Sequence, residues 1–404
     1  MECQTHCTNE DVNALLFVVV WADDHHSEHG QHSNHLLSTP NADFAFALYK
    51  ALNAKAADGD NIFYSPLGIS TALAMLSVAA RGETHSQLFT VLGYSSLNQT
   101  QVNEAYEHLF RMHGDNQKNM ELDVGNALAL RSCLNPLETF QNDVRRYYRG
   151  EIFKIDFSEP RDAATEINTF IANKTRDKIK DMVQDLDPET AMVLINYVYF
   201  KGQWKDPFEN ELTHKGDFHL NNTTKVKVDM LSRTAVYKTY WDHSRQTRVI
   251  ILPYKGSTSM MIVLPDEGKM KEVETHIDKN FIRHWQNSVA NSFLALDLPK
   301  FSISSDFSLD DTLKEMGMTM AFVDSADFSG ISDEAKIKIS KASHKATLSV
   351  TEMGTEASAT SFVELIWQTT PLPFTVDRPF LVLILENPSG SILFMGKINN
   401  PTAM

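Results

Sequence analysis

From Asn41 the apolar positions fall into a helical rhythm. Ala42, Phe44, Ala45, Leu48 and Leu52 recur mostly at three- and four-residue intervals, so one face is expected to be buried. A short strand, Asn61-Ile-Phe-Tyr64, then runs into Ser65-Pro66, where the serine can cap and the proline can open a helix continuing through Ala80. Helical patterning also covers about 84–92, 100–113, 136–148 and 161–180, with strands at about 121–131 and 191–201. Beyond residue 225 the pattern is mostly strand, as in Val249–Leu252, Met260–Leu264 and Phe293–Leu298. Helical interruptions are expected near 270–287 and 306–317. Helices early and strands late, without regular βαβ alternation, predict an α+β fold.

Ahead of Asn41 this rhythm is missing. Ala14–Ala22 is an apolar run too short to span a bilayer and of the right length for a signal-peptide core. Glu2, Glu10 and Asp11 precede it without any Lys or Arg, so residues 1–22 read as an atypical signal peptide. Residues 23–40 are acidic and carry His25, His26, His29, His32 and His35. Five histidines in so short a stretch could hold a transition-metal ion weakly, but without cysteine partners or a fixed ligand spacing the composition predicts a disordered, solvated tail. Length alone suggests two or three domains. No Pro/Gly/Ser-rich linker or charge run divides the chain after residue 40, so residues 41–404 are expected to form one domain.

Composition narrows the function. A formal net charge of −15 argues against nucleic acid, which needs a basic stripe, and against a polybasic membrane anchor. Of three cysteines, Cys3 and Cys7 fall in the leader, leaving Cys133 as an expected unpaired thiol. Sequons at Asn98, Asn173, Asn221 and Asn222 lean towards a secreted glycoprotein. The chain has no Gly-x-Ser-x-Gly elbow, His-Glu-x-x-His helix, Walker loop or Gly-x-Gly-x-x-Gly fingerprint. It is expected to have no chemical step, cofactor or metal of its own.

The most informative stretch is Glu352-Met-Gly354-Thr355-Glu356-Ala357-Ser358-Ala359-Thr360. An ordinary surface loop would use Pro, Asn, Asp and several Gly to shape its turns. This one has small, strand-tolerant residues led by a single glycine, so it can be exposed and still lie down as a strand.

Six blocks now stand in order: Asn61-Ile-Phe-Tyr-Ser-Pro66, Asn196-Tyr-Val-Tyr-Phe-Lys-Gly-Gln-Trp204, Lys341-Ala-Ser-His-Lys-Ala346, Gly354-Thr-Glu-Ala357, Asp377-Arg-Pro-Phe380 and Phe394-Met-Gly-Lys397. Their spacing resembles that of the serpins, specifically the antitrypsin-like plasma members, over residues 41–402. The resemblance implies three β-sheets with eight or nine helices and a reactive-centre loop exposed above a mainly parallel central sheet. It also implies a monomeric, extracellular inhibitor whose partner is a serine protease. The protease cuts the loop, the severed strand inserts into the sheet, and the acyl-enzyme is trapped.

Carried over residue by residue, the resemblance makes Gly354, Thr355, Glu356, Ala357, Ser358, Ala359 and Thr360 the loop hinge. Thr355, Ala357, Ala359 and Ser361 form one alternating set, all small enough to enter a packed interior. Its register puts the reactive bond between Gln368 and Thr369; neutral Gln368 does not suit a trypsin-type pocket. Ser65, Asn196 and His344 match the hydrogen-bonding cluster beneath the sheet where strands part. Gly68 stands where antitrypsin-like chains commonly have Ser, which implies a thinner network. Trp204, Lys300 and Glu352 match the sheet top where insertion begins, with Lys300 and Glu352 expected to pair. A second reading is a serpin-type carrier of a small hydrophobic hormone such as thyroxine or a corticosteroid. Arg283, Trp285, Gln286 and Arg378 resemble residues of that site.

Overall fold

The computed structural model describes residues 25–114, 120–332, 336–352 and 370–403. A five-stranded sheet runs in the order β10 (Phe301–Ser308), β11 (Lys341–Val350), β4 (Met192–Gly202), β2 (Met120–Arg131) and β3 (Glu151–Ile155). A nine-stranded network follows β1 (Ile62–Tyr64), β14 (Ile392–Ile398), β13 (Phe380–Glu386), β8 (Thr258–Pro265), β7 (Thr247–Pro253), β6 (Lys225–Asp242), β9 (Ala290–Pro299) and β12 (Leu372–Thr375). The remaining strand, β5 (His214–His219), pairs with β6. The three expected sheets thus form two hydrogen-bonded networks, because the 18-residue β6 serves two of them. Its residues 230–239 pair with β9 and its residues 238–242 pair with β7.

Nine α-helices pack around these strands among the described residues: α1 (His25–Lys55), α2 (Pro66–Ser77), α3 (Gly82–Leu92), α4 (Gln99–Gly114), α5 (Glu138–Tyr148), α6 (Pro160–Lys174), α7 (Met270–His276), α8 (Lys279–Ser288) and α9 (Asp310–Glu315). The α+β expectation holds. Helix α2 starts as its sequence predicts: Ser65 is the N-cap, its Oγ accepts the Gly68 amide at 3.0 Å, and Pro66 opens the first turn.

Four expectations need correction. The central sheet is mixed rather than mainly parallel, since β11–β4 and β2–β3 pair parallel while β10–β11 and β2–β4 pair antiparallel. Of the expected disordered tail, residues 25–40 belong to α1, which passes through Pro40. Leu37 is already buried, so the packed part of the helix begins before Asn41. The helix expected over 161–180 ends at Lys174. Thr175 Oγ1 there takes up the Ile179 amide and donates to Ile171 O, and Arg176 and Asp177 follow with positive φ. The helical stretch at 270–287 is two helices, because Asp278 caps α8 by accepting the Asn280 and Phe281 amides. Residues 1–22, read as a leader, lie outside the described residues.

The five-stranded sheet is buried on both faces at β4, whereas β10 exposes Ser302, Ser304 and Asp306 on one face. Val193, Ile195, Tyr197 and Tyr199 join Ala163, Ile167 and Ile171 of α6 in a smaller core. Met192, Leu194, Val198 and Phe200 alternate with them and enter the main core. This is the period-two pattern of a strand covered on both sides.

Candidate functional site

On the main-core face of β4 one position breaks the apolar run. Asn196 stands between Leu194 and Val198 and is buried. On β11 the same face carries Ala342, Ala346, Leu348 and Val350, and the polar exception is His344. The two exceptions are register partners across the parallel β4–β11 pair, and Asn126 of β2 is the register partner of Asn196 on its other side. Three buried polar residues therefore form one row across three strands.

Burying such groups is tolerable only if each is hydrogen-bonded. Asn196 Nδ2 donates to Asn126 Oδ1 at 2.8 Å and to Gly125 O at 3.2 Å. Its Oδ1 lies 2.6 Å from His344 Nδ1, and His344 Nε2 accepts the Ser65 amide at 3.0 Å. An Nε2 that accepts a backbone N–H must be unprotonated, so the proton sits on Nδ1 and the ring is neutral. Burial pushes the imidazole down to about 3 for the same reason: a charge here would be desolvated. Ser65 Oγ completes the chain by donating to Leu393 O at 2.7 Å. The structure thus brings Ser65, Asn196 and His344 together and adds Asn126, which the sequence reading missed. The available signal was a lone amide between Val124 and Leu128 on an otherwise apolar face of the strand.

Gly68 does not thin this network. A Cβ at that position would lie 2.6 Å from Asn196 Oδ1 and 2.7 Å from Val198 Cγ2. The glycine leaves the space that Asn196 occupies.

The other end of the seam lies beyond Leu348 and Phe200, the last paired residues of β11 and β4. Trp204 Nε1 donates to Thr351 O at 2.9 Å, and its ring stacks on Tyr254 at 4.3 Å. Lys300 Nζ meets Glu352 Oε2 at 2.8 Å, the ion pair the sequence suggests, and Thr213 Oγ1 donates to Glu352 Oε1 at 3.0 Å. Burial alone would push the Glu352 carboxyl up, but the bonds from Lys300 and Thr213 outweigh it and hold the group below its usual range. Residues 353–369 lie outside the described residues, among them the hinge Gly354–Thr360 and the bond Gln368–Thr369.

Of the four carrier candidates, Trp285 and Arg378 are held by different partners. Trp285 is fully buried and donates Nε1 to Asp242 Oδ2 at 3.0 Å. Arg283 is exposed on α8 and Gln286 half-buried. Arg378 is held elsewhere, by Pro265 O at 2.8 Å, Asp377 at 3.0 Å and Asp266 at 3.4 Å. All four sequon asparagines are exposed, and so is Cys133, a free thiol. Asn98 caps α4 reciprocally with Gln101, while Asn221 Oδ1 accepts the amides of Thr223 and Thr224.

With this geometry in hand, comparison with known proteins is decisive on class. The family described as Serpin (serine protease inhibitor) matches residues 39–401. An alpha-1-antitrypsin homolog of Cyprinus carpio is 48% identical over 84% of this chain and 91% of its own. Alpha-1-antitrypsin of Meriones unguiculatus is 35% identical over 94% of both chains. The solved structure of human thyroxine-binding globulin complexed with its hormone superposes with a TM-score of 0.86 at 37% identity, covering 92% of this chain and all of that one. The chain belongs to the serpin family, on its antitrypsin-like branch. That membership supports protease inhibition.

Proposed function

We propose that this chain is a secreted, monomeric serine-protease inhibitor that acts once, by trapping its target covalently after cleavage at Gln368–Thr369. The reading rests on the seam. Eight consecutive pairs, from Lys341–Val193 to Leu348–Phe200, join β11 and β4 in parallel, and the 353–369 segment leaves from the β11 end of that seam. A strand folding back from residue 353 would run antiparallel to both neighbours. It would replace one parallel ladder with two antiparallel ones, which are the more stable pairing per residue. The polar row and the Lys300–Glu352 end are the groups such a strand would have to part. The small alternating set Thr355, Ala357, Ala359 and Ser361 suits the packed face it would enter.

Denaturing gels of the protein mixed with trypsin-, chymotrypsin- and elastase-type proteases test this directly. At least one covalent complex is expected, and Thr355→Arg, which drives a charge into the inserting set, should turn the inhibitor into a plain substrate. About ten inserted residues, each gaining a hydrogen bond worth about 1 kcal/mol net, should also raise the melting temperature of the nicked protein by roughly 10 °C or more. Clipping by every protease with no complex and no gain in stability overturns the inhibitory reading.

The hormone-carrier reading draws on the thyroxine complex of its solved relative. It requires saturable thyroxine or corticosteroid binding that Arg378→Ala weakens. Binding without any covalent protease complex would replace inhibition with transport.

A further inference from the structure

Where β6 turns into β7, Asp242 is buried and works as a hub. It accepts hydrogen bonds from Ser244 Oγ at 2.6 Å, the Arg245 amide at 3.2 Å and Trp285 Nε1 at 3.0 Å. Arg245 also gives its Nη1 to Asp242 Oδ2 at 3.3 Å and to Ser244 Oγ at 2.9 Å, and its guanidinium lies 4.2 Å over the Phe281 ring. The cation is therefore held on one edge and one face. Among the described residues, neither its Nε nor its Nη2 has an acceptor.

That guanidinium borders a half-open cleft of about 260 Å³ between the turn and helices α7 and α8. Val273, Ile277, Phe281 and Trp285 give the cleft its apolar wall, and Glu272 and His276 its polar lip. Glu272 is paired with Lys269 at 3.1 Å, which offsets the one carboxylate at the lip. His276 donates Nδ1–H to Glu272 O at 2.9 Å.

From this we infer that the cleft is a binding site for small aromatic carboxylates. The ring system would lie on the Phe281–Trp285 wall while the carboxylate takes the open edge of Arg245. An arginine fork matches a carboxylate with two parallel bonds, and one already oriented by an acid and an aromatic ring loses little freedom on binding. An apolar cavity of about 150 Å³ holds benzene, so this cleft has room for two fused rings. The site is independent of the inhibitory reading. It shares only Trp285 with the carrier candidates, a buried ring that forms part of the cleft wall.

Calorimetric titration of the full chain with 2-naphthoate at low salt is the test. One saturable site is expected. The neutral isostere 2-naphthamide should bind wild type at least tenfold more weakly, a comparison that needs no variant to fold. Arg245→Gln should weaken 2-naphthoate at least tenfold without changing protease-complex formation, and Arg378→Ala should leave it unchanged. No saturable uptake at millimolar 2-naphthoate, equal affinity for the amide, or undiminished binding by Arg245→Gln would each overturn the site. Loss of binding in Arg378→Ala would assign the ligand to the carrier region instead.

Discussion

At the middle of the β4–β11 seam the contacts are neutral and fully buried, whereas at its end they are charged and partly solvated. His344 and Asn196 have 0% and 1% of their surface exposed, while the Lys300 side chain is 41% exposed. A buried hydrogen-bond chain is costly to break, because each orphaned group keeps its desolvation penalty. A solvated ion pair contributes little and is screened by salt. The seam should therefore loosen from its Trp204–Glu352 end, with the polar row as the last barrier to a strand entering between β4 and β11.

The largest expected effect comes from His344→Ala. It orphans the Ser65 amide and Asn196 Oδ1 and leaves a cavity, for a loss of about 3–5 kcal/mol. A melting temperature lower by about 5–10 °C is expected. A change under 2 °C would mean the row is not a barrier. Gly68→Ala attacks the same row from α2. A Cβ at 2.6 Å would force Asn196 Oδ1 to shift from its bond with His344, so about 1–3 kcal/mol should be lost, measurable by urea unfolding. An unchanged midpoint would restore the expectation of a loose network around Gly68.

Acid should act on the middle of the seam in a defined window. The folded imidazole of His344 titrates at about 3, well below the 6.5 of a free histidine. Between those values the unfolded chain binds a proton that the folded chain refuses. The contribution is therefore complete above pH 6.5 and is lost as pH falls towards 3. By pH 5 the loss amounts to about 2 kcal/mol. Thermal melts at pH 7.5 and 5.0 should show that loss in wild type and a smaller one in His344→Gln. Equal losses would point to other groups.

The row also shows what a sequence can reveal. Strand periodicity alone marks Asn126, Asn196 and His344 as polar intrusions on apolar faces, yet periodicity says nothing of register. Only pairing puts the three at one level. Gly68 misled because a missing side chain reads as a missing contact, whereas the space is filled from β4. The histidine-rich stretch misled differently. Its composition suits a solvated tail, but α1 runs from His25 through Pro40 into a buried face, and that continuity is invisible to local composition. The small, strand-tolerant residues of 354–360 stand out in the sequence itself, whereas the reactive bond was legible only through family register, and both lie outside the described residues.

The smallest effect separates the two ends most cleanly. Lys300→Met deletes the cation opposite Glu352 but leaves Thr213 donating to the carboxylate, so about 0.5–1 kcal/mol is the expected loss. The Glu352 carboxyl is held below its usual range, so the pair stabilises above the pH where a free glutamate ionises and fades as pH falls through the folded value. The difference in melting temperature between wild type and Lys300→Met should therefore be largest near pH 7 in dilute buffer. It should shrink in 1 M salt, where charges are screened within about 3 Å. The His344→Ala difference, which involves no charge at pH 7, should not change with salt. If Lys300→Met destabilised more than His344→Ala, or if salt erased both differences, the barrier would lie at the charged end and the order of opening would be reversed.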